Sequence, residues 1–565
     1  MAPQSLDDRL DHLIPTAETV GIDSRYNWQL PLPNAAPTSR KVTQVWYVAL
    51  PISSAHRGDH SGGGALLPGV GGQERYANEG SVYPHASLVE LLTYHAVCFP
   101  DISWRYMDLS HDSWDDIREQ IRREPPDVAA FSVYTASAIW AYIVAAEIKV
   151  ANPKAVIVFG NDHASYLFRE ILTGRYGSRL VDFIGLGNNG PFSMMGLLYA
   201  LQGAISFSRV PSLAYRTNNG VIAQEAPTFP LNLRLMPDYS LIEDYLGAHY
   251  DRAFAVWYSD FYELKRMVTL PIDSGCHWGK EPARRCRHCS IQGLTPKFAS
   301  IKRIVPALEE LLNRQQANVY CTGDSTLGFS ENQWGGQYRF LNDLADAFAA
   351  SSTLGTRRFM LCYGLVREFL ASAELCKSFV RTWNVGIEAF DPVLLRGDSK
   401  GVNKDKDTIL RAFELARSMD YRIYVSGILG LPGTTLPQLR REVDNWLSLA
   451  EEFQDVIMTV SVSLPAVLPG SRMYWDSMQS SSAFRSWHGE LLPSLQMTKF
   501  YIQHNSEIAF ADANAALVEL GQGIIRISQN GGNPIKFGGY MLGGKDDTEA
   551  MELGIFNEVL GRLPQ

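Results

Sequence analysis

The sequence predicts an α/β protein made of two successive series of parallel strands and helices: a doubly wound sheet, then a partial (β/α)6 barrel, then a C-terminal segment. Three observations predict it. Short apolar runs rich in Val, Ile, Phe and Tyr alternate with amphipathic stretches of helical length over residues 41–235, and again over 269–475. In both series the strand-like runs end in Gly, Ser, Asn or Asp, small and polar residues that suit the carboxyl ends of strands where a ligand is held. Between the series, residues 236–268 hold aromatics and one short helix-like run, and read as a linker.

Composition narrows the function classes. A hydrophobic content of 46% supplies real cores, and 51 Lys and Arg against 60 Asp and Glu give a net charge of −9, so no nucleic-acid partner is expected. The first residues are acidic and lack an apolar stretch, so no signal peptide is visible. The uncharged run 128–146 approaches the length of a membrane span, but VAAFSV, TAS and IWAYIVAA read better as strand, turn and helix, and no membrane partner is expected. Cys98, Cys321, Cys362 and Cys376 sit in apolar runs, as small buried residues of a reducing, cytoplasmic compartment do.

In chain order, residues 1–40 lack a sustained period and read as an N-terminal extension. Five strands follow, over 44–51, 102–109, 127–133, 155–160 and 182–187, with helices between them. Their carboxyl ends carry Ser132, Tyr134 and Thr135, then Gly160, Asn161 and His163, then Gly187 and Asn188. Glycines there let a bulky ligand approach the backbone, and hydroxyl and amide groups can donate hydrogen bonds to it; a nucleotide would fit.

The second series opens with strand 269–275 and the loop GCHWGKEPARRCRHC. Cys276, Cys286 and Cys289 fall in it with the spacing C-x9-C-x2-C. Three thiolates on one loop can hold three irons of a [4Fe-4S] cluster and leave the fourth iron open to a chelating small molecule. The alternative is zinc, held by the three Cys with His277 or His288, because a single C-x2-C also suits that metal. Helices over 303–313 and 408–420 should bury Ile304, Leu308, Leu311 and Leu312, and Ile409, Ala412, Phe413 and Ala416. Strand ends place Gly323, Asp324 and Ser325, then Glu388, then Gly430 and Leu431 at one end of the barrel. Taken as a residue alone, Glu388 has a second, less favoured reading as one half of an interior salt bridge, and the glycines one as a tight turn.

The first series, in DVAAFSVYTASAIWA, AVIVFGNDHAS, VDFIGLGNNG, VPSLAYRTNNGVI and LMPDYSLI, resembles the Rossmann-like cobalamin-binding half of cobalamin-dependent radical S-adenosylmethionine (SAM) proteins. Cysteine loop, Gly-Ile-Glu and Gly-Leu-Pro-Gly then follow in the order of a radical SAM partial TIM barrel, and the cysteine loop is similar to that of the radical SAM C-methyltransferases that mature ribosomal peptides. The resemblance implies three cofactors: a [4Fe-4S] cluster on Cys276, Cys286 and Cys289, SAM, and cobalamin. It gives Gly323, Asp324 and Ser325 to the SAM amino group, Glu388 to its ribose hydroxyls and residues 427–433 to its adenine. Ser132, Tyr134, Thr135, Gly160, Asn161, His163, Gly187 and Asn188 go to cobalamin. It also implies a reductant such as flavodoxin or ferredoxin, a peptide or small-molecule substrate, and methyl transfer to an unactivated carbon. The alternative is ring formation, rearrangement or cross-linking without net methyl transfer. The Asp-x-His-x-x-Gly motif that places a histidine under cobalt is absent, and His56 and His60 read as solvated loop residues, so no protein histidine is expected on cobalt. Trp257, Tyr258, Phe261 and Trp278 would line a water-poor pocket between the domains or form interdomain core. Residues 476–565 would face the substrate.

Overall fold

The computed structural model describes residues 41–50, 83–224, 235–259, 261–274, 286–289, 297–322, 335–355, 357–397, 405–531, 534–538 and 546–563. The extension at 1–40, His56, His60, Cys276, His277, Trp278, Gly323, Asp324 and Ser325 lie outside them.

The first sheet runs in the order β2-β1-β3-β4-β5-β6-β7. The five expected strands are β1 (Gln44–Ala49), β2 (Ser103–Asp108), β3 (Val128–Ser132), β4 (Val156–Gly160) and β5 (Phe183–Gly185), all parallel. Alternation along β1 sends Val45, Tyr47 and Ala49 to one face, under helices Ala86–Cys98 and Gly190–Leu201. Trp46 and Val48 meet the other face, under Trp114–Arg123 and Ala138–Ala151. A strand covered on both faces needs an unbroken apolar run, and that is what residues 45–50 supply. The run 128–146 is strand, single turn and helix, as its turn hydroxyls indicate. A hairpin not foreseen as strands, β6 (Leu213–Thr217) and β7 (Gly220–Ala223), adds two antiparallel strands beside β5. Its two-residue loop, Asn218 and Asn219 before Gly220 at φ +114°, has the chemistry of a tight hairpin turn.

The second sheet is parallel throughout, in the order β16-β15-β14-β13-β12-β11-β8. Six strands are those expected: β8 (Arg266–Pro271), β11 (Ala317–Thr322), β12 (Met360–Leu365), β13 (Val380–Glu388), β14 (Arg422–Ile428) and β15 (Ile457–Ser463). Between β8 and β11, β9 (Asp273–Ser274) and β10 (Lys297–Phe298) pair antiparallel and close the base of the cysteine loop. A seventh barrel strand, β16 (Lys536–Phe537), comes from the C-terminal segment and pairs with β15. The helices expected to cover the barrel form as Ile301–Asn313 and Lys406–Ser418, and bury the eight side chains named for them.

Residues 476–565 serve both sheets. Helix Phe510–Asn530 lies along helix Leu436–Glu452 outside the barrel, whereas helix Asp546–Gly561 lies along Ala138–Ala151 of the first sheet. The Glu490 carboxylate accepts the main-chain N–H groups of Tyr176 (2.9 Å) and Gly177 (2.6 Å), which fastens this segment to the first sheet. Among the described residues no single helix is long and apolar enough to cross a membrane; Ser494–Asn505 and Phe510–Asn530 pass that test only together, across a 107° bend.

Candidate functional site

Aromatic side chains close the amino end of the barrel. Phe254, Tyr258, Phe261 and Tyr262 from the linker pack on Met267, Leu361 and Met458, each the second residue of its strand. Of the two readings of these aromatics, Tyr258 and Phe261 therefore follow the core one, because they fill the barrel floor. With the floor sealed, the lumen is accessible from the carboxyl end, where the expected site residues lie.

Period-two alternation along β13 sends Trp383, Val385 and Ile387 outward into the core and leaves Asn384, Gly386 and Glu388 toward the lumen. Glu388 is buried and has a left-handed backbone, φ +66°. The register slips beside it, Gly386 pairing with Ser426 and Glu388 with Gly427, so one extra residue bends the strand end. A left-handed glutamate costs on the order of 1–3 kcal/mol, a strain that concentrates at functional sites. The turn is held from behind. Glu442, on helix Leu436–Glu452, accepts the main-chain N–H groups of Phe390 (2.8 Å) and Asp391 (2.7 Å). Burial pushes the Glu442 carboxyl up to about 7, against the pull of those two donors. Gly386 leaves room for the neighbouring carboxylate, since a Cβ there would lie 2.9 Å from Glu388 Oε1 and 2.9 Å from the Tyr363 hydroxyl.

After β14 the chain turns through Gly430 at φ +82° and Gly433 at φ +79°, two conformations that glycine adopts without strain. Leu431 is fully buried between them, and Thr434 Oγ1 donates to its carbonyl at 2.6 Å. Deeper in the barrel, the buried atoms Asn384 Oδ1 and Thr459 Oγ1 have no hydrogen-bond partner among the described residues. A polar ligand in the lumen is what would satisfy them.

Cys286 and Cys289 share one turn, with the Cys289 N–H donating to the Cys286 carbonyl at 3.3 Å. The turn is tied down on both sides of Arg287: its carbonyl accepts from Met473 N–H at 2.9 Å and its guanidinium meets Asp476 at 2.8 Å. Two adjacent thiols fit part of a three-thiolate donor set; the third, Cys276, follows β9 by two residues in sequence. Cys98, Cys321, Cys362 and Cys376 are buried in the core, as expected.

At the first sheet, the ends of β3, β4 and β5 lie side by side. Asn161, left-handed at φ +75°, donates Nδ2 to Ser132 Oγ at 3.0 Å, and Tyr134 stands beside both, its hydroxyl held above its usual pKa by burial. Gly187, at φ +60°, donates its N–H to Ser165 Oγ at 3.0 Å, with Asn188 next in the chain. Thus Ser132, Tyr134, Thr135, Gly160, Asn161, Gly187 and Asn188 border one crevice. His163 plays another part. Its Nε2 lies 3.2 Å from the Glu490 carbonyl, which can only accept, so Nε2 donates and Nδ1 accepts a hydrogen bond from the Thr135 hydroxyl at 3.2 Å. Burial lowers its pKa to about 4 and keeps it neutral. Both ring nitrogens are spent within the protein, so His163 acts as a strut.

The crevice and the barrel strands are joined, part-way along the strands and beside the aromatic floor, by residues that the sequence did not single out. Tyr83 packs edge-on against Tyr320 of β11, 5.6 Å between centroids, and the next residue, Pro84, accepts from Thr269 Oγ1 of β8 at 3.4 Å. His85 follows, its ring 5.6 Å from that of Tyr134.

A doubly wound parallel sheet followed by an open parallel barrel is a fold this chain shares with two solved enzymes. The cobalamin-dependent SAM radical enzyme OxsB, solved with aqua-cobalamin and SAM, matches 84% of this chain at TM-score 0.54 and 13% identity; the match spans 66% of OxsB, about two thirds of its length. The radical SAM methyltransferase TsrM from Kitasatospora setae, solved with cobalamin and a [4Fe-4S] cluster, matches 92% of this chain and 98% of its own, at TM-score 0.55 and 15% identity. A further TsrM structure, holding tryptophan substrate and the SAM analogue aza-SAM, matches at TM-score 0.54. At such identities the likeness is one of fold. No protein-family model matches the chain, and no curated protein does.

Proposed function

We propose that this chain is an enzyme that binds a [4Fe-4S] cluster, SAM and cobalamin and transfers a methyl group from SAM to an unactivated carbon of a peptide or natural-product substrate. The observation that carries the reading is the junction at residues 83–85, where the switch-point crevice of the first sheet meets the barrel strands. Two cofactors bound at those two ends would face one shared space. When bound, the cluster and SAM supply a hydrogen-abstracting carbon radical and cobalamin supplies the methyl group.

The residues of the chain bind and orient. Cys276, Cys286 and Cys289 would hold three irons of the cluster. The two oxygens of Glu388 suit a pair of ribose hydroxyls, and the backbone around Gly430 and Leu431 offers an edge to adenine. Gly323, Asp324 and Ser325 would receive the SAM ammonium. Asn384 and Thr459 present polar atoms to the same lumen, and the aromatic floor excludes water from below. The match along 98% of TsrM, itself a methyltransferase, favours methyl transfer over ring formation.

The test incubates anaerobic enzyme, reductant, SAM with a deuterated methyl group and candidate substrates encoded by neighbouring genes, then weighs the product. A labelled methyl in the product, with one S-adenosylhomocysteine and one 5′-deoxyadenosine formed per turnover, is expected. A product lighter by two hydrogens and free of label would replace this reading with ring formation or cross-linking.

A further inference from the structure

His85 ends the connection that leaves β1, and Tyr134, whose ring it meets, follows β3 directly. β1 and β3 are neighbours in the sheet, yet their following helices lie on opposite faces. The gap between two such connections is the switch point of a doubly wound sheet, where a ligand is received. His85 is therefore a histidine beside the β1/β3 switch point, 5.6 Å from the Tyr134 ring, on a β1 connection that has no Asp-x-His-x-x-Gly motif.

His85 differs from His95, His163 and His488 in the partners of its ring. It occupies the N-cap of helix Ala86–Cys98, a position favouring Ser, Thr, Asp or Asn, but its side chain makes no cap bond. Its main-chain N–H donates to the Tyr106 hydroxyl at 3.3 Å, while neither ring nitrogen forms a hydrogen bond among the described residues. By contrast, His95 is engaged by Tyr47 and Ile102, His163 by Thr135 and Glu490, and His488 by Tyr474 and Glu170. The half-buried imidazole of His85 is thus a donor set aside. We propose that His85 supplies the imidazole nitrogen that ligates the cobalt of bound cobalamin, on the corrin face that meets the first sheet.

The proposal rests on the reading that this sheet holds cobalamin, and it reverses the expectation drawn from the missing motif. Metal ligation needs the neutral ring. Burial lowers the pKa of His85 and so favours that form, against the opposing field of Asp108. Asp108 is itself fully buried and fixed by the Ser110 N–H and the Tyr250 hydroxyl, so its charge is held in place near the ring.

The experiment loads the full-length protein with hydroxocobalamin, reduces it to cob(II)alamin and records the electron paramagnetic resonance spectrum. Protein grown on natural histidine should show triplet splitting of the cobalt lines, and protein grown on 15N-histidine should show doublets. This arm uses the unaltered chain, so no folding defect can mimic its outcome. His85→Leu should still retain cobalamin but lose the nitrogen splitting. Triplets that persist after labelling would assign the nitrogen to the nucleotide base of the corrin and overturn the proposal, as would absent splitting or splitting retained in His85→Leu. A protein that takes up no cobalamin would overturn the underlying reading as well, and that failure is visible before any spectrum is recorded.

Discussion

Glu442 offers the sharpest quantitative test of the barrel site, because its carboxyl is buried, its partners are known and its titration should be visible in stability. Replacement by Gln removes the titration while keeping size. Burial raises the carboxyl from its ordinary 4.5 to about 7. At 1.36 kcal/mol per unit this amounts to about 3 kcal/mol. The folded protein holds this proton more tightly than the unfolded chain, so between pH 4.5 and about 7 the native state binds more protons and stability falls as pH rises; above about 7 the contribution is flat. Groups common to both proteins cancel in the difference between wild type and Glu442→Gln. That difference should shift against wild type by about 3 kcal/mol from pH 4.5 to 8, or about 6–12 °C in Tm for a cooperative unit of roughly 150–250 residues. Thermal unfolding of the two proteins at one scan rate across this range is the assay. A flat difference, or one that moves in favour of wild type as pH rises, would show that the N–H groups of Phe390 and Asp391 keep the carboxylate ionised throughout and would refute the reasoning.

Three further outcomes follow from the geometry. Cys286→Ala or Cys289→Ala should purify without the roughly four irons expected of a [4Fe-4S] cluster and lose SAM cleavage, yet retain cobalamin uptake; stoichiometric zinc in the colourless wild-type protein would instead establish the zinc alternative. Gly386→Ala must displace both the Glu388 carboxylate and the Tyr363 hydroxyl, each a side-chain end, so Tm should change little while SAM affinity falls about 10- to 100-fold, the scale of one lost charge-assisted hydrogen bond; unchanged affinity, by equilibrium dialysis, would remove Glu388 from the SAM site. Glu490→Ala strands the buried N–H of Gly177 and the N–H of Tyr176, and should cost about 1–3 kcal/mol per stranded donor, read as faster proteolysis of residues 476–565.

The two series of strands were legible in the sequence because a strand covered on both faces is a near-continuous apolar run, as at 128–131, and such runs stand out between amphipathic helices. The helical stripe Ile304, Leu308, Leu311 and Leu312 was legible for the same reason, since period 3.6 is a local property. The hairpin β6–β7 was also written locally, in Asn218, Asn219 and Gly220, and was read there only for its likeness to other chains. β16 was not legible: two residues, Lys536 and Phe537, carry no period, and only the exposed edge of β15 makes them a strand.

The site divides along the same line. Cys286, Cys289, Glu388, Gly430 and the strand-end residues are marked by their positions after strands, which sequence reveals. Glu442, Glu490 and His85 are marked only by partners far along the chain. Glu442 looks like one more acid on an amphipathic helix until the fold places Phe390 against it, 52 residues away, and Glu490 until the fold places Gly177 against it, 313 residues away. Each of these carboxylates accepts main-chain N–H groups of a loop, and an acceptor of that kind fixes backbone whatever side chains the loop carries. Glu442 fixes the turn that presents Glu388, Glu490 fixes the loop behind the crevice and engages His163, and the ring nitrogens of His85 have no hydrogen-bond partner among the described residues.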